Sequence, residues 1–265
     1  MSETINPASQ DKPPLNIGNI LSNTFGLYFR NFIYFFGVTL IPYVVFQVFT
    51  AVLVGDPNTL LIEGATAGFI LLNLISVLIF VMLQAVLARS AVTARLGRGV
   101  EFAVALRAAL MGLVPIILLG ILVAIVAGVG YLLLIVPGLY LTAMFYVYVP
   151  AIVFENKGFS GLGRSISLTS GYRWAIVGLM LIFFALVFAI SLVIGVVAGV
   201  TSVLTVGVNG AADPGTGFFL VLGLFNAVSS ALVTPVGIIA SALVFTRLRE
   251  IKEGGSTEEL LKVFE

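Results

Sequence analysis

The sequence predicts an all-α, polytopic membrane protein with six transmembrane helices, and three observations carry that reading. The residues AVILMFWYC make up 60% of the 265 positions and charged residues only 9%, against about 25% charged in a soluble domain. Long uncharged stretches run through the chain, each of a length set by the bilayer. The basic residues then fall on one side of the resulting helices.

A bilayer core takes about 20 residues of helix. Spans are accordingly expected near Phe32 to Leu53, Thr66 to Ala88, Leu110 to Leu134, Leu139 to Phe154, Ala175 to Val200 and Phe218 to Phe245. The stretch Ala108 to Phe154 is too long for one ordinary span. It carries IVPG in its middle, where Pro137 and Gly138 suit a tight turn, so it is read as a hairpin.

Lys and Arg in short loops concentrate on the cytoplasmic side. With six spans, all 13 lie on one face: Lys12, Arg30, Arg89, Arg95, Arg98, Arg107, Lys157, Arg164, Arg173, Arg247, Arg249, Lys252 and Lys262. The opposite loops hold only Asp56, Glu63 and Asp213. A single crossing over Ala108 to Phe154 would throw seven of the basic residues outside. A re-entrant hairpin would keep the sign pattern and stands as the alternative. Both termini are therefore expected in the cytoplasm. Residues 1–13 form a polar tail without the apolar core of a cleaved signal peptide, 14–246 the membrane domain, and 247–265 a cytoplasmic tail.

Each pair of spans is preceded by a semi-polar segment, Ile17 to Phe29, Val100 to Leu106 and Phe159 to Tyr172. In the first, Ile17, Ile20, Leu21, Phe25 and Tyr28 share a helical face, as in a helix lying in the interface. Aligning Arg30 with Arg173 also matches Gly18 with Gly161, Ser22 with Ser165 and Phe29 with Tyr172. Three repeats of interfacial helix plus hairpin fit this pattern, with chance agreement as the competing account. Small residues four apart, Gly195 with Gly199 and Gly120 with Ala124 and Gly128, suit close helix packing in lipid. Pro42, Pro115, Pro150 and Pro235 sit inside apolar spans and are expected to kink them.

The chain has no cysteine and no histidine, which removes disulfides, thiolate sites and the usual general base. Asp56, Glu63 and Asp213 are isolated from one another, so no paired carboxylates are expected and the protein is read as non-enzymatic. No cofactor is expected. The net charge of +1 gives no general attraction to nucleic acid. No span contains an ionisable residue of the kind ion carriers retain. Asn226, Ser229, Ser230 and Thr234, clustered near Pro235, are the candidates for lining a cavity, with interhelical hydrogen bonding as the plainer account.

The most specific constellation is cytoplasmic. Glu155 ends the fourth span, and Arg164, Ser165, Thr169, Gly171, Arg173 and Trp174 lead into the fifth, with Arg247 and Arg249 after the sixth. Arg and Trp here suit the headgroup zone, either as generic anchors or in recognition of lipids or a partner. Glu155 is expected to pair with Arg164 or Arg173. The ending reads as an extension of the last helix, a break at Gly254 and Gly255, and a second short helix with Ser256 and Glu259 as a capping box.

The segments IGNILSNTFGLYFRNF, VPAIVFENKGFSGLGRSISLTSGYRW and TRLREIKEGGSTEEL together resemble the YciC-like group of prokaryotic membrane proteins, which includes the glycerophosphoryl diester phosphodiesterase membrane domain. Pro150, Glu155, Arg164, Ser165, Leu168, Thr169, Gly171, Arg249, Glu253 and Gly254 carry the likeness. Gly161, Leu162 and Gly163 depart from the alanine the group shows before its Arg-Ser pair. The catalytic domain behind that name is a separate soluble unit with no counterpart in this sequence. The resemblance implies a bacterial or archaeal plasma-membrane protein connected with envelope or lipid homeostasis. The expected partners are membrane lipids, together with another membrane protein or a second copy of the chain. The expected role is to organise or assist these at the cytoplasmic face. The alternatives are a transporter or channel for an uncharged or amphipathic substrate, and an accessory subunit of a larger membrane complex.

Overall fold

The computed structural model describes residues 15–53, 66–206 and 215–254. Among them every regular element is helical: α1 Ile17–Arg30, α2 Phe32–Leu53, α3 Thr66–Arg95, α4 Phe102–Leu133, α5 Ile135–Met144, α6 Tyr148–Glu155, α7 Gly161–Thr169, α8 Arg173–Val206 and α9 Gly215–Glu253, with a 3-10 turn at Gly158–Ser160 before α7. Six segments are long and apolar enough to cross a membrane, α5 and α6 together making the fourth. The polar N-terminal tail, Asp56, Glu63, Asp213 and the Ser256 capping box lie outside the described residues.

Local chemistry accounts for the boundaries. Asn16 caps α1, its side-chain oxygen accepting the Asn19 amide at 3.1 Å. Asn31 alone separates α1 from α2, and its amide nitrogen returns to the Leu27 carbonyl at 3.1 Å. Between α3 and α4 the chain reverses at Gly97, whose φ of +71° suits glycine. Asn156 closes α6 in the left-handed region at φ 51°, and Gly254 ends α9 at φ +67°, where the tail break is expected.

Four features differ from the sequence reading. Val100 to Leu106 is no separate segment, because α4 runs unbroken from Phe102 to Leu133, and the three-fold repeat fails at its middle member. The expected turn at Pro137 and Gly138 falls at Leu134, which is extended at φ −164°, ψ 155°. Pro137 then stands in the first turn of α5, where its missing N–H has no helical acceptor to lose. The fourth span is not one helix but two, divided at Phe145–Val147. Pro150, expected to kink a helix, instead sits in the first turn of α6 for the same reason.

The centre of the bundle is α9, which packs along α2 and also against α3 and α1. Phe35, Leu87, Ile116, Ile152, Ile176, Ile239, Leu243, Phe245 and Leu248 are fully buried in one cluster. Ala85, Ala88, Ala91 and Ala94 keep one face of α3 narrow and are all buried, which lets neighbouring helices approach closely. α8 is peripheral: only 6% of its most apolar stretch is buried, against 56% for α9. Gly195 and Gly199 on α8 face open space, whereas Gly120 meets the Tyr148 hydroxyl. A tighter approach is found at Gly138, where a Cβ would lie 2.3 Å from the Tyr131 ring.

Candidate functional site

The broken fourth span leaves backbone carbonyls without helical donors, a costly state inside a bilayer unless other groups supply the missing bonds. The sequence provides hydroxyls at these points. Ser165 and Thr169, one turn apart on α7, donate to the Met144 carbonyl at 3.0 and 3.1 Å. Ser241 on α9 donates to the Tyr146 carbonyl at 2.8 Å. Gly161, at the start of α7, lies so close to Ile152 that a Cβ would sit 2.3 Å from its side chain. α7 is thus fitted against the break rather than free on a surface. Its glycine-rich entrance, the departure noted in the sequence, is what allows the fit.

The charged end of the bundle closes on itself. Glu155, whose side chain is only 4% exposed, accepts two bonds from Arg164, Nε at 2.9 Å and Nη2 at 2.8 Å. Arg249 Nη1 lies 3.4 Å from the same carboxylate. Arg249 Nε also holds Glu253 at 2.8 Å, and Glu253 reaches back to Arg164. Two arginines and two carboxylates therefore alternate, tying α6, α7 and α9 together. The Glu155 carboxylate beside Arg164 holds that guanidinium's pKa above its ordinary value. Of the two expected partners of Glu155, Arg164 is the one found.

Arg173 instead turns to α5. Its Nη1 donates to the Tyr140 hydroxyl at 2.9 Å, and its guanidinium carbon lies 5.2 Å from that ring's centroid. Trp174, 64% exposed, leans on Tyr140 with ring centroids 5.7 Å apart. Gly171, at φ +85°, makes the turn that carries the chain from α7 into α8. Arg247 binds Glu250 at 3.2 Å, and Arg95 reaches the same residue at 3.4 Å.

Sequence reasoning missed what several other cations do. Arg30 donates to the Ala94 carbonyl at 3.1 Å, in the last turn of α3. Arg89 donates to the Val153 carbonyl at 3.0 Å, in the last turn of α6, and Lys252 reaches the Ser167 carbonyl near the end of α7. Each cation meets a carbonyl near the C-terminal end of a helix, at the negative end of its dipole. Arg30, Arg89 and Lys252 are in this respect helix caps.

Within the bundle lies a cavity of about 740 Å³, walled by α1, α2, α3, α4, the α5–α6 break, α8 and α9. Its lining is mostly aromatic and aliphatic and contains no Asp, Glu, Lys or Arg. Of the four residues expected to line a cavity, only Thr234 does so. Asn226 is placed against Gln47 of α2, its oxygen 3.5 Å from the Gln47 amide nitrogen. Ser229 donates to Phe225 of its own helix at 2.8 Å, and Ser230 is not on the wall. The polar residues on its wall also include Gln84, Thr142, Tyr146, Tyr148 and Ser241, and Tyr28 borders it. Gln84 stands out in the sequence as a polar residue deep in an apolar span, and the aromatic part of the wall follows the run Phe25, Tyr28, Phe29 and Phe32 at helical spacing. A smaller recess of about 350 Å³ between α3 and the start of α4 presents Arg89, Arg98 and Glu101 together. Among the described residues no group of three Asp or Glu side chains is arranged to hold a metal ion.

The fold and its spans define a multi-pass, all-α membrane protein. No protein-family model, curated protein or solved structure matches the chain. The site is therefore read from its own geometry.

Proposed function

We propose that this protein is a non-enzymatic membrane protein that takes a lipid-like amphiphile from the surrounding bilayer into the cavity beside α8 and α9. The cavity itself carries the reading. Its volume of about 740 Å³ falls within the roughly 300–1,000 Å³ of ligand pockets, and its wall offers apolar contact with a few polar groups. With no charged side chain on that wall and no histidine in the chain, no acid–base pair is at hand for chemistry there. The closed charge network acts in this reading as a rigid cytoplasmic frame that holds α6, α7 and α9 in register around the cavity. One-sided basic residues and the resemblance to YciC-like proteins support placement in a prokaryotic plasma membrane with both termini inside.

A carrier for an uncharged amphiphile is the second reading, favoured by the sparse packing of α8, which forms one wall of the cavity yet is little buried.

The test uses Gly237, which lines the cavity and would meet nothing within 4 Å on gaining a Cβ. Gly237→Phe should place its ring in the cavity from a backbone position with room for a Cβ. In native-membrane particles the wild-type protein is expected to retain a lipid class enriched over the bulk membrane, read by mass spectrometry. Gly237→Phe should lose that enrichment at unchanged thermal stability. Identical lipid profiles for the two proteins count against the reading. Flipping of a fluorescent lipid in reconstituted vesicles, blocked by Gly237→Phe, separates the carrier from the binder.

A further inference from the structure

The recess between α3 and the start of α4, about 350 Å³ in volume, shares no lining residue with the large cavity. Its polar lining consists of Arg89, Ser90, Thr93, Arg98, Glu101 and Asn156. Two of these are occupied within the protein: Ser90 bonds the Tyr34 hydroxyl at 2.8 Å, and Thr93 donates to the Arg89 carbonyl at 3.0 Å. Recognition of an occupant therefore falls mainly to the charged groups.

Arg89 is the half-buried cation of this wall. Whereas Arg95, Arg164, Arg247 and Arg249 pair with carboxylates, Arg89 forms no ion pair among the described residues, and there its guanidinium makes a single hydrogen bond, from Nη1 to the Val153 carbonyl. A guanidinium has five N–H donors in a fixed fork. No nitrogen of Arg89 is shut away without a partner, as Arg173 Nε and Arg249 Nη1 are, so its remaining donors are reachable. Such a fork suits a phosphate. Arg98 stands on the same wall, but so does Glu101, which is exposed and forms no ion pair among the described residues. A carboxylate repels a purely anionic occupant and attracts a cation. Both signs on one wall fit a zwitterion that carries phosphate and ammonium together.

The surroundings point to a lipid. Val104, on the recess wall, opens an exposed apolar row along α4 that continues through Met111, Leu118 and Ile125, each seven residues on and so on one face of the helix. Arg107, exposed between the first two, marks the headgroup level, where cations meet phosphates. A molecule with its head in the recess can lay its acyl chains along that row.

We propose that the recess binds the phosphoethanolamine head of a membrane phospholipid, with the phosphodiester on Arg89 and Arg98, the primary ammonium on Glu101 and the acyl chains along α4. This site is separate from the large cavity, and its test is separate too.

The experiment is native mass spectrometry of the full chain in detergent, given equimolar phosphatidylethanolamine, phosphatidylcholine and phosphatidylglycerol with identical acyl chains. The wild-type protein should retain phosphatidylethanolamine in preference to both others. Glu101→Gln, at an exposed position, should lower its preference over phosphatidylglycerol about fivefold, the effect of one exposed charge pair. Gly99→Glu, where a Cβ has open space, sets a carboxylate on the recess wall and should weaken binding of phosphatidylethanolamine and phosphatidylglycerol alike. Gly237→Phe, in the large cavity, should leave the preference unchanged. Thermal denaturation checks that each variant stays folded. A wild-type preference for phosphatidylglycerol overturns the zwitterionic assignment, and an unchanged preference in Glu101→Gln overturns the role of Glu101. Unchanged binding in Gly99→Glu, or loss of the preference in Gly237→Phe, overturns the recess as the site. Displacement of the lipid by millimolar free phosphoethanolamine overturns the assignment to a lipid, since a soluble head then suffices.

Discussion

The Ser165 hydroxyl donates to the Met144 carbonyl at 3.0 Å, joining α7 to the point where the fourth span breaks. Thr169 Oγ1 is a second donor 3.1 Å from the same carbonyl, its single hydrogen shared with the Ser165 carbonyl at 2.9 Å. Two hydroxyls on one carbonyl make each individually dispensable and the pair not. Ser165→Ala and Thr169→Val alone should each cost under about 1 kcal/mol, because the remaining donor satisfies the carbonyl. The double variant leaves it unpaired and should cost about 1–3 kcal/mol. Unfolding by sodium dodecyl sulfate in mixed micelles measures both; additive single effects would show that the carbonyl is not shared.

Glu155 is the keystone of the charge network. Glu155→Gln leaves Arg164 and Arg249, 21% and 14% exposed, facing each other without their shared carboxylate. A loss of about 3–5 kcal/mol is expected, as for a buried pair deprived of one partner. Arg247→Ala should cost no more than about 1 kcal/mol, since that side chain is 43% exposed. The same unfolding assay ranks them, and equal losses would place Glu155 among ordinary surface charges.

The glycines divide by what surrounds them. Gly138→Ala drives a Cβ into Tyr131 and should destabilise by about 1–3 kcal/mol through overpacking. Gly128→Ala meets nothing within 4 Å. It should be neutral or stabilise by up to about 1 kcal/mol, because alanine favours the helix. Thermal denaturation in detergent separates the two, and a shift of the same sign in both would contradict the packing at Gly138.

What the sequence made legible were properties set by length and solvent. Apolar runs located the six spans, and Gly254 marked the end of the last helix because its φ of +67° suits glycine. The Glu155 and Arg164 pair was legible because a carboxylate and a guanidinium nine residues apart flank one turn. Where helices break was not legible. Pro137 and Pro150 mark nearby breaks only indirectly, since proline is equally at home in a first turn and at a kink. The repair of Met144 by Ser165 and Thr169 depends on a tertiary approach that no spacing encodes. Asn226 and Ser229 misled for the reverse reason. Their polarity is absorbed by Gln47 and by Phe225 of their own helix, while the cavity is lined by aromatics whose sequence pattern is that of any apolar helix.

The sidedness predicted from the basic residues can be tested cleanly, because the chain contains no cysteine and every single-cysteine variant carries one reactive thiol. Gly99 precedes α4 and has open space around its Cα; Ser160 is exposed just before α7. Cysteines at both positions should react with an impermeant maleimide in inverted membrane vesicles and not in intact spheroplasts. Leu134, 69% exposed at the turn between α4 and α5, decides whether this hairpin crosses fully. If it spans, Leu134→Cys reacts in intact spheroplasts, and a reagent applied outside first blocks later labelling in vesicles. If the hairpin re-enters, Leu134→Cys stays unreactive from outside although Gly99 and Ser160 remain together inside. Full crossing is the expected outcome, because α4 alone offers 32 residues of helix. That is roughly 48 Å at 1.5 Å per residue, well beyond the ~30 Å of hydrocarbon a half-entering segment would need to avoid.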